Sequence, residues 1–248
     1  MRTYGLIGYP LGHSFSRKFF TEKFLRENLQ EQYLNFELDD IALLPGIIGA
    51  HPELAGLNVT IPYKEKVLPY LGRLDPVSTA IGAVNTIRII RNQEGILLEG
   101  YNSDVYGFSE SLKPLLKTFY RKALVLGTGG ASKAVTFALD RLGIEWLQVS
   151  RNNIGMKCIS YDDLDLQTIR QHPIIINTTP LGTFPDTGTY PLIPYNLITQ
   201  EHLLYDLVYN PAESLFLKYG KEQGAAIKNG YEMLELQALM SYDIWNET

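Results

Sequence analysis

Ala123-Leu124-Val125-Leu126 breaks without a spacer into Gly127-Thr128-Gly129-Gly130-Ala131-Ser132, and Ala131, Ala134, Val135, Ala138, Leu139 and Leu142 then fall on one helical stripe that stops at Gly143. The next apolar run, Trp146-Leu147-Gln148-Val149, reads as a second strand. A glycine turn alone signifies only a tight reversal. Set between a strand and a helix with a strand beyond, it reads as a dinucleotide site, because the bare backbone lets a pyrophosphate approach and the free N–H groups at the helix start bond its oxygens. Gly127, Thr128, Gly129, Gly130 and Ala131 are therefore candidate cofactor residues, with Ser132 standing at the third glycine position of the fingerprint.

That turn predicts an α/β chain, and the rest of the sequence agrees. Ile174-Ile175-Ile176, Leu203-Leu204-Tyr205 and Ala225-Ala226-Ile227 are short apolar runs of the kind buried on both faces of a parallel sheet. Upstream, Leu6-Ile7-Gly8 reads as a strand, and Phe15, Phe19, Phe20, Phe24 and Leu25 recur at helical spacing. Leu34, Phe36 and Leu38 alternate as in a strand, Leu57-Asn58-Val59 is extended, and Pro62 is placed to open a helix. Val84 to Ile90 and Ile96 to Glu99 flank a polar turn and predict a hairpin at one edge of a sheet. The pattern restarts after about residue 104, which predicts two α/β domains.

A chain of 248 residues with 45% hydrophobic content can bury cores of that size. Its net charge of -5 offers no positive field for nucleic acid or an anionic membrane. Cys158, the single cysteine, cannot form an intramolecular disulfide, and His13, His51, His172 and His202 lack ligand spacing, so no metal is indicated. No apolar run approaches the roughly 20 residues of a membrane span, and no signal-peptide pattern opens the chain. A reducing, cytoplasmic location is the expectation.

Chemistry-bearing residues concentrate in a few places. The second strand of the glycine unit ends at Ser150-Arg151, where an NAD site would place an acid for the ribose 2′-hydroxyl; a guanidinium there suits the 2′-phosphate of NADP. Lys64 falls in the first turn of the helix expected after Pro62, where the positive end of the helix dipole disfavours an ammonium and would lower its pKa. Asp104 precedes an amphipathic segment as a helix cap would, and Ser14 and Ser16 offer hydroxyls at a helix start.

Eight ordered motifs carry a resemblance that runs nearly end to end: 8–16, 58–64, 82–86, 100–104, the glycine turn, Asn177-Thr178-Thr179-Pro180-Leu181-Gly182, Asp206-Leu207-Val208-Tyr209-Asn210-Pro211, and 229–237. Together they resemble the shikimate dehydrogenases, which reduce 3-dehydroshikimate to shikimate with NADPH. The resemblance implies a substrate-binding catalytic domain over 1–104, a Rossmann-type NADP domain over 105–230 with a cleft between them, and a last helix, 231–248, that packs back on the first domain. It implies that Ser14 and Ser16 hold the substrate carboxylate, that Asn58, Thr60, Asn85, Asp104 and Gln237 bind ring oxygens, and that Lys64 and Asp104 are the catalytic pair. Tyr209 is expected near the substrate, and Ser150, Arg151, Thr178, Leu207 and Gly230 near the cofactor, in a monomer or homodimer. Arg17 replaces a usual proline and Ser103 a usual threonine. Two alternatives stay open: a quinate/shikimate dehydrogenase using NAD, and a non-catalytic dinucleotide-binding sensor.

Overall fold

The structure is a computed structural model that describes residues 1–12, 15–151 and 157–247. The chain divides into two compact units, one of Met1–Ser103 with Gln237–Thr248 and one of Asp104–Leu236.

The first unit contains β1 (Arg2–Gly8), α1 (Phe15–Arg26), β2 (Glu31–Glu37), α2 (Leu44–Ala50), β3 (Leu54–Val59), β4 (Arg73–Leu74), α3 (Pro76–Ile81), β5 (Thr86–Asn92) and β6 (Gly95–Tyr101). Its six strands run in the order β2-β1-β3-β5-β6-β4. β1 lies parallel to both β2 and β3, whereas β5 turns antiparallel to β3 and pairs with β6 as a hairpin. The hairpin expected at an edge is instead covered by β4, a two-residue strand parallel to β6. Arg73-Leu74 is too short for period-two alternation to register, and pairing with an existing edge decides its conformation. Side chains alternate across β1, so Tyr4 and Leu6 join one buried cluster with Phe20, Phe24, Tyr33 and Trp245, and Ile7 joins another with Leu44, Leu57, Val59 and Ile87.

The helix expected after Pro62 is absent. Residues 61–67 form turns, followed by a single 3₁₀ turn over Leu68–Tyr70. In an α-helix the Lys64 carbonyl would accept from the Leu68 N–H; here it accepts from Val84 N at 2.8 Å, while Leu68 N–H goes to the Glu65 carbonyl at 3.3 Å. Pro69 has no N–H to continue an α-helical ladder. The helix-dipole argument for Lys64 therefore does not apply.

The second unit contains α4 (Asp104–Leu112), β7 (Lys122–Leu126), α5 (Gly130–Arg141), β8 (Glu145–Val149), β9 (Cys158–Ile159), α6 (Leu166–Gln171), β10 (Ile174–Asn177), β11 (Leu203–Asp206), α7 (Leu215–Glu222) and β12 (Ala226–Lys228). The final helix, α8 (Tyr231–Asn246), begins in this unit and ends in the first. All pairings in the order β12-β11-β10-β7-β8-β9 are parallel. The order reverses between β7 and β10, and in such a sheet the crevice at the carboxyl ends of the two strands is where ligands bind. Gly127 follows one of those strands and Thr178 the other.

Candidate active site

In the first unit, three of the sequence-predicted amides meet in one buried polar network. Asn58, on β3, accepts at Oδ1 from the Tyr33 hydroxyl at 2.8 Å and donates from Nδ2 to Ser241 Oγ at 2.9 Å. Asn85 accepts at Oδ1 from the Ser103 backbone N–H at 2.7 Å and donates to Ser103 Oγ at 3.0 Å and to Gln237 Oε1 at 3.5 Å. Because an Asn amide can flip, each orientation is set by its partners: the Asn85 carbonyl, which only accepts, lies 3.3 Å from Asn58 Nδ2, and the Ser103 N–H, which only donates, lies 2.7 Å from Asn85 Oδ1. Ser16, in the first turn of α1, hydrogen-bonds the Tyr33 hydroxyl, so it joins the same chain of contacts. Burial raises the Tyr33 pKa above the usual tyrosine range and keeps that hydroxyl a neutral donor.

Thr60 directly follows the strand bearing Asn58, its N–H bonded to the Ile7 carbonyl at 2.9 Å. Lys64 lies four residues on, in the turn anchored by the Tyr63 hydroxyl on the Leu38 carbonyl at 2.6 Å and by the Val84 N–H on its own carbonyl. Asp104 is the first residue of α4, directly after Ser103, and its carboxylate sits in the electropositive first turn. It occupies the helix itself, not the flanking cap expected from sequence. Ser14 lies outside the described residues, as does Asn152 after Arg151. Sequence reasoning misses Tyr33, Thr86 and Ser241. The spacing of Ser241, four residues beyond Gln237 on one helix face, is the available signal.

In the second unit the expected glycine turn forms. Gly127 has φ +105°, a conformation open to glycine, and an added Cβ would stand 3.0 Å from Thr178 Oγ1. Thr178 in turn donates its hydroxyl to the Leu126 carbonyl at 2.7 Å, tying β10 to the turn. Built Cβ atoms at Gly129 and Gly130 meet nothing within 4 Å, so the space over the start of α5 suits a pyrophosphate. Thr128 and Gly129 are exposed and Ala131 lies in the first turn of α5. Ser132 is accommodated as the third fingerprint residue by bonding inward, to the Gly129 carbonyl at 2.6 Å and from Gln148 Nε2 at 3.4 Å. Ser150 and exposed Arg151 follow β8. Among the described residues no group of three His, Cys, Asp or Glu side chains could hold a metal, and no helix is long and apolar enough to cross a membrane.

At the same edge of the sheet, Asp206 ends β11 fully buried. Its carboxylate accepts from Asn177 Nδ2 at 2.9 Å, Val208 N–H at 3.0 Å and the Ser214 hydroxyl at 2.5 Å, and burial pushes its pKa up to about 6 against those bonds. This carboxylate holds together the segments bearing Thr178, Leu207 and the half-buried Tyr209. Gly230 approaches the Leu207 carbonyl so closely that a Cβ would lie 2.2 Å from its oxygen.

A parallel sheet with a glycine turn at its switch point, in a chain whose other unit gathers oriented amides around a buried hydroxyl cluster, defines a two-unit α/β dinucleotide-dependent oxidoreductase. The family described as "Shikimate dehydrogenase substrate binding domain" matches residues 6–87. The shikimate dehydrogenase (NADP(+)) of Caldanaerobacter subterraneus subsp. tengcongensis is 37% identical, covering 98% of this chain and 91% of its own. The crystal structure of shikimate dehydrogenase 1 from Peptoclostridium difficile has TM-score 0.85 and 37% identity, covering 100% of this chain and 92% of that one. Shikimate 5-dehydrogenase from Thermus thermophilus, in complex with NADP(H) and shikimate, has TM-score 0.85 and 30% identity over 99% of this chain and 94% of that one. The chain belongs to the shikimate dehydrogenase family.

Proposed function

We propose that this chain catalyses the reversible, NADPH-dependent reduction of 3-dehydroshikimate to shikimate. The observation that carries the reading is the pairing, in one chain, of a pyrophosphate-ready turn with buried amides held in fixed orientation. A polyhydroxylated ring presents donors and acceptors at once, and amides answer both.

Ser14 and Ser16 take the substrate carboxylate, Asn58, Thr60, Asn85 and Gln237 take its ring oxygens, and Tyr209 is a further substrate-binding residue. Lys64 delivers the proton to the ketone oxygen, or stabilises the developing alkoxide, and Asp104 orients and charge-balances the ammonium. In the reverse direction Lys64 takes the hydroxyl proton. The backbone of Gly127, Thr128, Gly129, Gly130 and Ala131 holds the pyrophosphate, Ser150 and Arg151 the 2′-phosphate, and Thr178, Leu207 and Gly230 border the nicotinamide end. NADPH, when bound, supplies the hydride to the ring ketone. Positioning lets these groups act as an intramolecular set, and the proton transfer adds a factor on the order of 10² to 10⁴.

The test is absorbance of the reduced nicotinamide with shikimate as substrate. Turnover with NADP is expected, with kcat/KM for NAD at least about tenfold lower because Arg151 replaces the ribose-binding acid. Lys64→Ala lowers kcat by about 10² or more while the NADP Kd stays within about twofold. An unchanged kcat removes Lys64 from the mechanism. Preference for NAD with quinate selects the quinate/shikimate reading, and NADP binding without turnover of either acid makes the chain a dinucleotide sensor.

A further inference from the structure

We infer that Ser241 is a positioning residue of the substrate site, its hydroxyl holding the orientation of the Asn58 amide. The inference rests on the shikimate dehydrogenase reading of the same site.

Ser241 is fully buried on α8 and touches four groups. It lies 2.9 Å from the Gln237 carbonyl, 2.9 Å from Asn58 Nδ2, 2.7 Å from Thr86 Oγ1 and 3.0 Å from Ser103 Oγ. A serine hydroxyl has one proton and two lone pairs, so at most three of these four contacts can be hydrogen bonds at once, and that limit imposes an order on the protons. The Gln237 carbonyl can only accept, so Ser241 donates there. Asn58 already receives the Tyr33 hydroxyl at Oδ1, so its Nδ2 faces Ser241 and occupies one lone pair. Thr86, at the shortest distance, fills the other. Ser103 then receives Asn85 Nδ2 at 3.0 Å and turns its own proton toward Asn85 Oδ1 at 3.2 Å or Gln237 Oε1 at 3.4 Å.

The consequence is directional. One serine, on the same helix as Gln237, makes the shortest contact to the donor end of the Asn58 amide, at 2.9 Å. Without the hydroxyl, Asn58 Nδ2 keeps only its longer contacts, 3.3 Å to the Asn85 carbonyl and 3.5 Å to Thr86 Oγ1. The amide is then held less firmly at its donor end, and a ring hydroxyl meets it less well aligned.

The experiment is a double-mutant cycle on the full chain, with steady-state kinetics for shikimate and a separate NADP Kd. Ser241→Ala is expected to raise KM for shikimate about tenfold, the scale of one buried donor left unpaired, with the NADP Kd unchanged. Asn58→Ala lowers kcat/KM on its own, and adding Ser241→Ala to it costs less than about twofold more, because the effect passes through Asn58. Ser241→Cys, close in shape and a weaker acceptor, falls between wild type and alanine, and serves where the alanine variant does not accumulate as folded protein. Equal loss from Ser241→Ala in both backgrounds, an unchanged KM, or a matching rise in the NADP Kd overturns the inference. Absence of shikimate turnover in the wild type overturns the parent reading instead, so the two failures are distinct.

Discussion

At the scale of single residues, the buried Asp206 connects local chemistry to stability. Its folded pKa of about 6 lies above the ordinary 3.8 because desolvation outweighs three hydrogen bonds. A raised value means the folded state holds the proton more tightly. The stabilising contribution is full below about pH 3.8 and is lost as pH rises through about 6. That difference corresponds to about 3 kcal/mol at most. Asp206→Asn keeps a neutral, hydrogen-bonding side chain in the same place, so the variant should gain stability relative to wild type between about pH 4 and about pH 6.5, read from urea unfolding at each pH. A difference that does not change with pH would exclude Asp206 as the titrating group. Asp206 is visible in sequence only as a member of a motif, since burial at the end of β11 and the bond from Ser214, eight residues on, are tertiary facts.

At the scale of elements, legibility follows the strength of the local pattern. The turn 127–132 with its flanking strand and helix is readable because three signals agree: an apolar run, glycines at required positions, and a helical stripe. Residues 62–70 mislead because Pro62 is an equally good opener for a turn, and the deciding bond, Val84 N–H to the Lys64 carbonyl, joins positions twenty residues apart. β9, two residues long, leaves no periodic trace. The site amides Asn58, Asn85 and Gln237 come from family resemblance, whereas their hydroxyl partners need coordinates. The junction of β11 and α8 yields a second expectation. Gly230→Ala places a Cβ against the Leu207 carbonyl, backbone that cannot swing aside. The cost is about 2 to 3 kcal/mol, which should lower the melting temperature by about 5 to 10 °C and weaken NADP binding. A variant melting with wild type would show that the loop gives way freely.

At the scale of the whole molecule, the two tryptophans fall one to each unit: Trp245, stacked on Tyr4 at 4.7 Å and donating to the Ile87 carbonyl at 3.0 Å, and Trp146, donating to Asp140 at 2.9 Å. Single-tryptophan variants, Trp146→Phe and Trp245→Phe, can therefore report each unit separately in urea. NADP at 100 times its Kd adds about 2.7 kcal/mol to the state that binds it. The Trp146 midpoint should rise more than the Trp245 midpoint; equal shifts would show that the units unfold together. The division of α8 between units has a consequence for biogenesis. The first unit opens the chain yet needs residues 237–247 to bury Tyr4, Phe20 and Asn58. During translation its amino-terminal strands must wait on the order of ten seconds, while everything from Asp104 onward is synthesised, before their closing helix leaves the ribosome. The last strand of the second unit, Ala226–Lys228, is therefore synthesised before the helix that closes the first.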